Sequence, residues 1–161
     1  MKLPEPPQLR ELNRDDEQEV NLVISMWLRS YTGSRKGGAE GSHVPKNVAA
    51  GVEASVFNRI YQPVVKDLIS RSRIVCAASK DDSFVYGFMA WEGDTLHYIA
   101  VKLKWVRLGL ATWMLDDWAG KRGIVTSHRT TDWLRFCKSK PEAYGDWRYD
   151  ALARFNKEKA A

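Results

Sequence analysis

A chain of 161 residues with net charge +5 is long enough to bury a core as one domain spanning residues 1–161, and no apolar run approaches the roughly 20 residues of a bilayer span. The two cysteines, Cys76 and Cys137, have no metal-type spacing, and the N-terminal stretch lacks a signal-peptide core, so a cytoplasmic chain with reduced thiols is expected, with no membrane association. The charge is uneven: residues 101–140 hold nine Lys/Arg against three Asp, which points to an anionic ligand or to a solvated basic face.

In chain order, "QLRELNRDD" (8–16) reads as a short strand anchored by Leu9 and Leu12. Asp15 or Asp16 then caps a helix whose apolar positions Val20, Val23, Ile24, Trp27, Leu28 and Tyr31 have helical spacing. Residues 32–47 carry four glycines and a proline without periodicity and read as a loop. Residues 48–72 are helical in tendency, interrupted at Pro63. The segment 32–72 is thus a loop and helical insertion, either an ordinary helix pair or a flap over a cleft.

Strands are predicted at 73–79, 83–93 and 95–102, with "GD" at 93–94 as a tight hairpin between the last two. A helix over 105–118, a strand at 123–128 and a helix at 131–140 follow, and the C-terminal segment 141–161 is expected to be helical. The order predicts an α/β fold: a mixed, partly antiparallel central sheet flanked by helices, with the insertion between the first helix and the second strand.

The stretch "VKLKWVRLGLATWML" (101–115) carries the main chemical signal. A helix N-terminus offers unpaired N–H groups and a positive dipole end, and small residues there let an anion approach the backbone. Gly109 and Ala111 meet that need, although small residues also let a helix pack closely on a sheet. Val101, then "KLKW", then Val106-Arg107-Leu108-Gly109-Leu110-Ala111 resembles the acyl-CoA loop of the GNAT N-acyltransferase superfamily, [Q/R]-x-x-G-x-[G/A] after a strand. The resemblance extends over residues 8–30 and 73–138. It departs from the pattern at Val106, which takes the Gln/Arg position, and at Arg107, which takes that of a glycine.

That resemblance implies a binding site for acetyl-CoA or another acyl-CoA and direct transfer of the acyl group to an amine on a small molecule or protein. It implies that the backbone N–H groups of Arg107, Leu108, Gly109, Leu110 and Ala111 hold the pyrophosphate, and that Ile99, Ala100 and Val101 line the pantetheine arm. Lys102, Lys104, Lys138 or Lys140 would meet the 3′-phosphate. The family's usual strand glutamate falls at Thr95, which cannot act as base. His97, whose ordinary pKa of about 6.5 suits proton acceptance, is the first candidate, with Glu92 and Asp94 beside it; a structural histidine is the alternative. The family's N-x-x-A-x-x-x-Y run places Thr130 at the Asn position and Cys137 at the Tyr position. Cys137 is therefore a candidate acid or a small buried hydrophobe, with Tyr144 or Tyr149 as substitutes.

Seven tryptophans are many for this length. Trp27, Trp91, Trp113, Trp118 and Trp133 fall in predicted elements as core, whereas Trp105 and Trp147 are candidates for stacking on a base or on adenine. The scattered histidines and the absence of a suitable cysteine pairing predict no metal site. Two alternatives to the transferase remain: an inactive GNAT-like module that binds nucleic acid or protein through residues 101–140, and a GNAT-like enzyme that modifies nucleic acid.

Overall fold

The computed structural model describes residues 6–32, 53–119, 124–128, 131–140, 142 and 146–155. These form a sheet of six strands in the order β1 to β6: β1 Gln8–Glu11, β2 Arg73–Ala78, β3 Val85–Glu92, β4 Thr95–Val101, β5 Val125–Thr126 and β6 Arg148–Tyr149. The first four pair antiparallel, whereas β4–β5 and β5–β6 are parallel. Helices α1 (Glu17–Thr32) and α2 (Ala54–Arg71) cover one face, and α3 (Leu110–Ala119) and α4 (Thr131–Ser139) the other. The expected mixed, partly antiparallel α/β sheet flanked by helices is what forms.

The two faces follow from the two-residue period of a strand. In β2, Ile74, Cys76 and Ala78 enter the α1/α2 core, while Val75 and Ala77 enter the α3/α4 core. Burying each large apolar side chain contributes about 1.5–3 kcal/mol, and Trp27, Val65 and Leu68 on one face are matched by Met114 and Leu115 on the other. Asp16 caps α1, accepting from the N–H of Gln18 at 2.9 Å, and Glu17 and Glu19 sit in the first turn where the dipole favours them. Arg14 closes the other end of that layer by donating to the carbonyls of Ile69 and Ser72 at the C-terminus of α2.

Three expectations change. Pro63 does not interrupt its helix: α2 runs through it, with Pro63 and Arg59 both on the exposed side where water satisfies the carbonyl that proline frees. The helix expected over 105–118 divides into a short 3-10 turn, Leu103–Trp105, and α3 starting at Leu110. In the C-terminal segment, residues 148–149 are a strand rather than helix. The N–H of Arg148 donates to the Ile124 carbonyl at 2.9 Å and that of Asp150 to Thr126 at 2.9 Å, so the open edge of β5 overrides local helical preference.

Candidate functional site

The site grows from an irregularity in β4. Its register with β3 runs Met89↔Ile99 and Ala90↔Tyr98, then shifts to Trp91↔Leu96. One residue, His97, is extra: a β-bulge. The consequence is visible in packing. Leu96 joins the α3/α4 core but Tyr98 packs on the α1/α2 core, although alternation would place both on one face. His97 therefore does not share the face of Thr95 in the simple way that a two-residue offset implies.

The same extra residue turns the main chain. Before the bulge, the carbonyls of Asp94 and Leu96 point to β5 and accept from Val125 at 3.2 Å and Ser127 at 3.1 Å. After it, Lys102 donates to the Tyr86 carbonyl at 2.8 Å, so by ladder alternation Ala100 and Tyr98 also face β3. The peptide groups of Ile99 and Val101 then face away from β3. Among the described residues β4 pairs with β5 only at Thr95 and Leu96, so these peptide groups border a crevice where the strands part. Of the three residues expected along the pantetheine arm, Ile99 and Val101 offer main-chain groups to the crevice, while those of Ala100 are spent on β3.

Beyond Val101 the chain enters the glycine loop. Arg107 and Gly109 both have left-handed backbone, with φ of 66° and 81°. A Cβ placed on Gly109 meets nothing within 4 Å, so the glycine is required by its φ and opens onto unoccupied space. The first α3 bond runs from the Trp113 N–H to the Gly109 carbonyl at 2.9 Å, leaving the N–H groups of Leu110, Ala111 and Thr112 ahead of the helical ladder. The first turn of α3 has no acidic residue, and Lys140 reaches it from the end of α4, donating to Thr112 Oγ1 at 3.3 Å. A cation is thus added to an end that already carries positive potential. Arg107 is exposed, whereas Leu108 is half-buried and packs against the α3/α4 core.

Trp105 does not obstruct this loop and does not offer itself for stacking. It is buried, edge-on to Tyr86 at 5.4 Å and to Phe84 at 6.3 Å, which corrects its reading as a base-stacking residue. Trp147 packs edge-on to Trp133 at 6.1 Å. Trp113, expected in the core, is 36% exposed on α3.

The candidate acid and base are placed differently from expectation. His97 is 1% exposed, and both ring nitrogens are engaged: Nδ1 with Ser127 Oγ at 2.9 Å and Nε2 with Glu92 Oε2 at 3.3 Å. Burial, with the nearby Arg71 and Arg154 guanidinium groups, pushes its pKa down to about 4. An enclosed ring of this kind does not take a proton directly from a substrate. Cys137 is buried in the α3/α4 core among Met114, Leu115 and Trp133, and burial pushes its thiol up to about 11. It is a packing residue, too weak an acid to match a thiol leaving group. Tyr149 is 44% exposed on β6, and Asp94 is exposed in the hairpin turn. Thr130 and Tyr144 lie outside the described residues.

Sequence reasoning did not find the polar chain that encloses His97. Arg71, at the end of α2, is ion-paired to Asp67 at 3.2 Å and to Glu92, and donates to the Arg154 carbonyl. Glu92 Oε2 meets His97, His97 meets Ser127, and Ser127 Oγ lies 2.8 Å from His128 Nδ1. The His128 ring stands edge-on to Trp27 at 5.8 Å and to Tyr98 at 6.3 Å, beside the point where β4 and β5 separate. The one signal in the sequence is "VTSH", two polar residues ending an apolar strand.

Among the described residues no group of three or more His, Cys, Asp or Glu is placed to hold a metal ion, and no helix is long and apolar enough to cross a membrane. No protein-family model matches the chain, and no curated protein matches it in sequence. Three solved structures are similar to it: apo-form YjaB from Escherichia coli (14% identity, TM-score 0.45), a GCN5-related N-acetyltransferase from Rhodopseudomonas palustris (14%, 0.42), and a GNAT-family protein from Desulfovibrio desulfuricans (17%, 0.38). They cover 69%, 73% and 69% of this chain, which in turn spans 63%, 66% and 62% of theirs, under two thirds in each case. What this chain shares with them is a GNAT-like course, a mixed sheet with helices on both faces.

Proposed function

We propose that the chain binds an acyl-CoA, acetyl-CoA foremost, in the crevice between β4 and β5, and catalyses transfer of the acyl group to an amine. One observation carries this reading. The outward-turned peptide groups of Ile99 and Val101 lead, through the left-handed Arg107 and Gly109, to the N–H groups at the start of α3. An extended polar arm followed by a diphosphate is the ligand shape that such a run of donors and acceptors suits.

The residues present fit that ligand. Peptide groups 99 and 101 would pair with the amides of the arm, the N–H groups of residues 107–112 would hold the diphosphate, and Lys140 and Arg107 would add positive charge beside it. The cofactor supplies a thioester, activated toward nucleophiles. The protein's part is to fix the arm along β4 so that the acyl end lies near the bulge, on the side bordered by Trp27, Tyr98 and His128. The enclosed His97 orients Ser127 rather than meeting the substrate.

Thermal stabilisation by acetyl-CoA tests the reading, since a ligand at 100 times its Kd adds about 2.7 kcal/mol. Stabilisation that fails to appear at millimolar acetyl-CoA removes it. The second reading, a non-catalytic module for nucleic acid, is supported by the exposed cations Lys104, Arg107, Lys138 and Lys140 around the α3 N-terminus. It predicts binding that weakens steeply with salt. The burial of Trp105 counts against it, because single-strand binding relies on exposed aromatic surface beside the cations.

A further inference from the structure

We infer that His128 is the proton-accepting group of the crevice, and that Glu92, His97 and Ser127 are positioning residues that fix which of its ring nitrogens is basic. This deepens the transferase reading and rests on it for the identity of the substrate, an amine that must lose a proton before it can attack.

The argument follows the hydrogen bonds from their most constrained end. Arg71 is ion-paired to Glu92, which holds Glu92 as a carboxylate, an acceptor only. His97 Nε2, 3.3 Å from Glu92 Oε2, must therefore carry a proton and donate it. A neutral ring has one N–H, so His97 Nδ1 is an acceptor and takes the single hydroxyl proton of Ser127 at 2.9 Å. With its proton committed, Ser127 Oγ accepts at 2.8 Å from His128, whose Nδ1 is thus protonated. The basic lone pair of His128 is then on Nε2.

The charged and titratable groups facing His97 are Arg71 from α2, Glu92 from β3, Arg154 from the turn after β6, and His128 across Ser127. Two guanidinium groups oppose a second proton on His97, so a proton entering the chain stays on His128. In the step itself an N–H bond of the substrate ammonium breaks, its electron pair stays on nitrogen, and the proton bonds to His128 Nε2. The imidazolium that results keeps its Nδ1–H donated to Ser127, and the proton later passes to solvent. Position supports the assignment. Ser127 supplies the last backbone bond from the β5 segment to β4, so His128 is the first residue past the point of separation.

Long-range ¹H–¹⁵N correlation on the histidine rings of the full chain, near neutral pH, reads the tautomers directly. The expected result is Nε2–H for His97 and Nδ1–H for His128, with Ser127→Ala causing loss of the His128 Nδ1–H signal in favour of Nε2–H. Far-ultraviolet dichroism confirms that the variant is folded; should it not fold, His97→Gln serves the same purpose. Nε2–H on His128 in the parent protein, or a tautomer unchanged in a folded variant, overturns the inference. Diethylpyrocarbonate, read by peptide mass, supplies the second arm: His128 should be modified and His97 spared. A reactive His97 beside an inert His128 overturns the assignment. Modification of His128 that millimolar acetyl-CoA does not slow keeps the proton-acceptor assignment and removes the acyl-CoA reading instead.

Discussion

The enclosed His97 makes the protein sensitive to mild acid. The unfolded chain binds a proton at this ring below about pH 6.5, the folded chain only below about pH 4. Between those values unfolding takes up a proton, so stability present above pH 6.5 is lost progressively as pH falls. The full window corresponds to about 3.4 kcal/mol at 1.36 kcal/mol per tenfold in proton affinity. At pH 5 the loss is about 2 kcal/mol, or roughly 4–8 °C in Tm for a chain of this size. Urea or thermal unfolding at pH 7 and pH 5 measures it, with His97→Gln as the reference, because an amide can hydrogen bond but does not titrate. The variant is expected to be less stable at pH 7 yet to lose about 2 kcal/mol less on acidification. Parallel losses in the two proteins would refute the account of His97 as a neutral, buried link.

Three further outcomes are expected. Gly87→Ala places a Cβ 2.4 Å from the Ala100 carbonyl oxygen, across the pairing that holds β4 in place; chemical denaturation should show a loss of about 1–3 kcal/mol. Gly109→Val strains a backbone at φ 81° at a cost of about 1–2 kcal/mol, and its side chain enters the open side of the loop, so stabilisation by acetyl-CoA should be lost while the fold survives. Cys137→Ala trims a buried thiol and should cost about 1–2 kcal/mol in urea unfolding while leaving acyl transfer unchanged; a large loss of rate would restore Cys137 as an acid.

Much of the architecture was legible in the residues. The period-3.6 pattern of Val20, Val23, Ile24, Trp27 and Leu28 marks α1, and "GD" between two apolar runs marks the β3–β4 hairpin, where Gly93 has φ 54°. The glycine loop was legible because left-handed backbone calls for glycine at 109. Arg107, equally left-handed, gave no sign, since nothing in its side chain announces that conformation. The strand at 148–149 escaped because two residues carry no periodicity; a parallel edge, not their own preference, makes them extended. The polar chain escaped for a related reason. Arg71, Glu92, His97 and Ser127 belong to four separate elements, and only the fold brings them together. His97 was singled out for its chemistry, but a lone histidine on a strand does not reveal that both nitrogens will be occupied.

The odd residue count of β4 has a consequence for how the protein can change. With one residue fewer, the strand would keep its phase from end to end. Tyr98 would change sides of the sheet, and the amides now presented by Ile99 and Val101 would turn toward their neighbour. Substitutions along this strand can therefore be graded, each costing what its own side chain contributes, whereas deleting a single position would reverse every later one at once. Length parity, more than residue identity, is what keeps the cleft edge open.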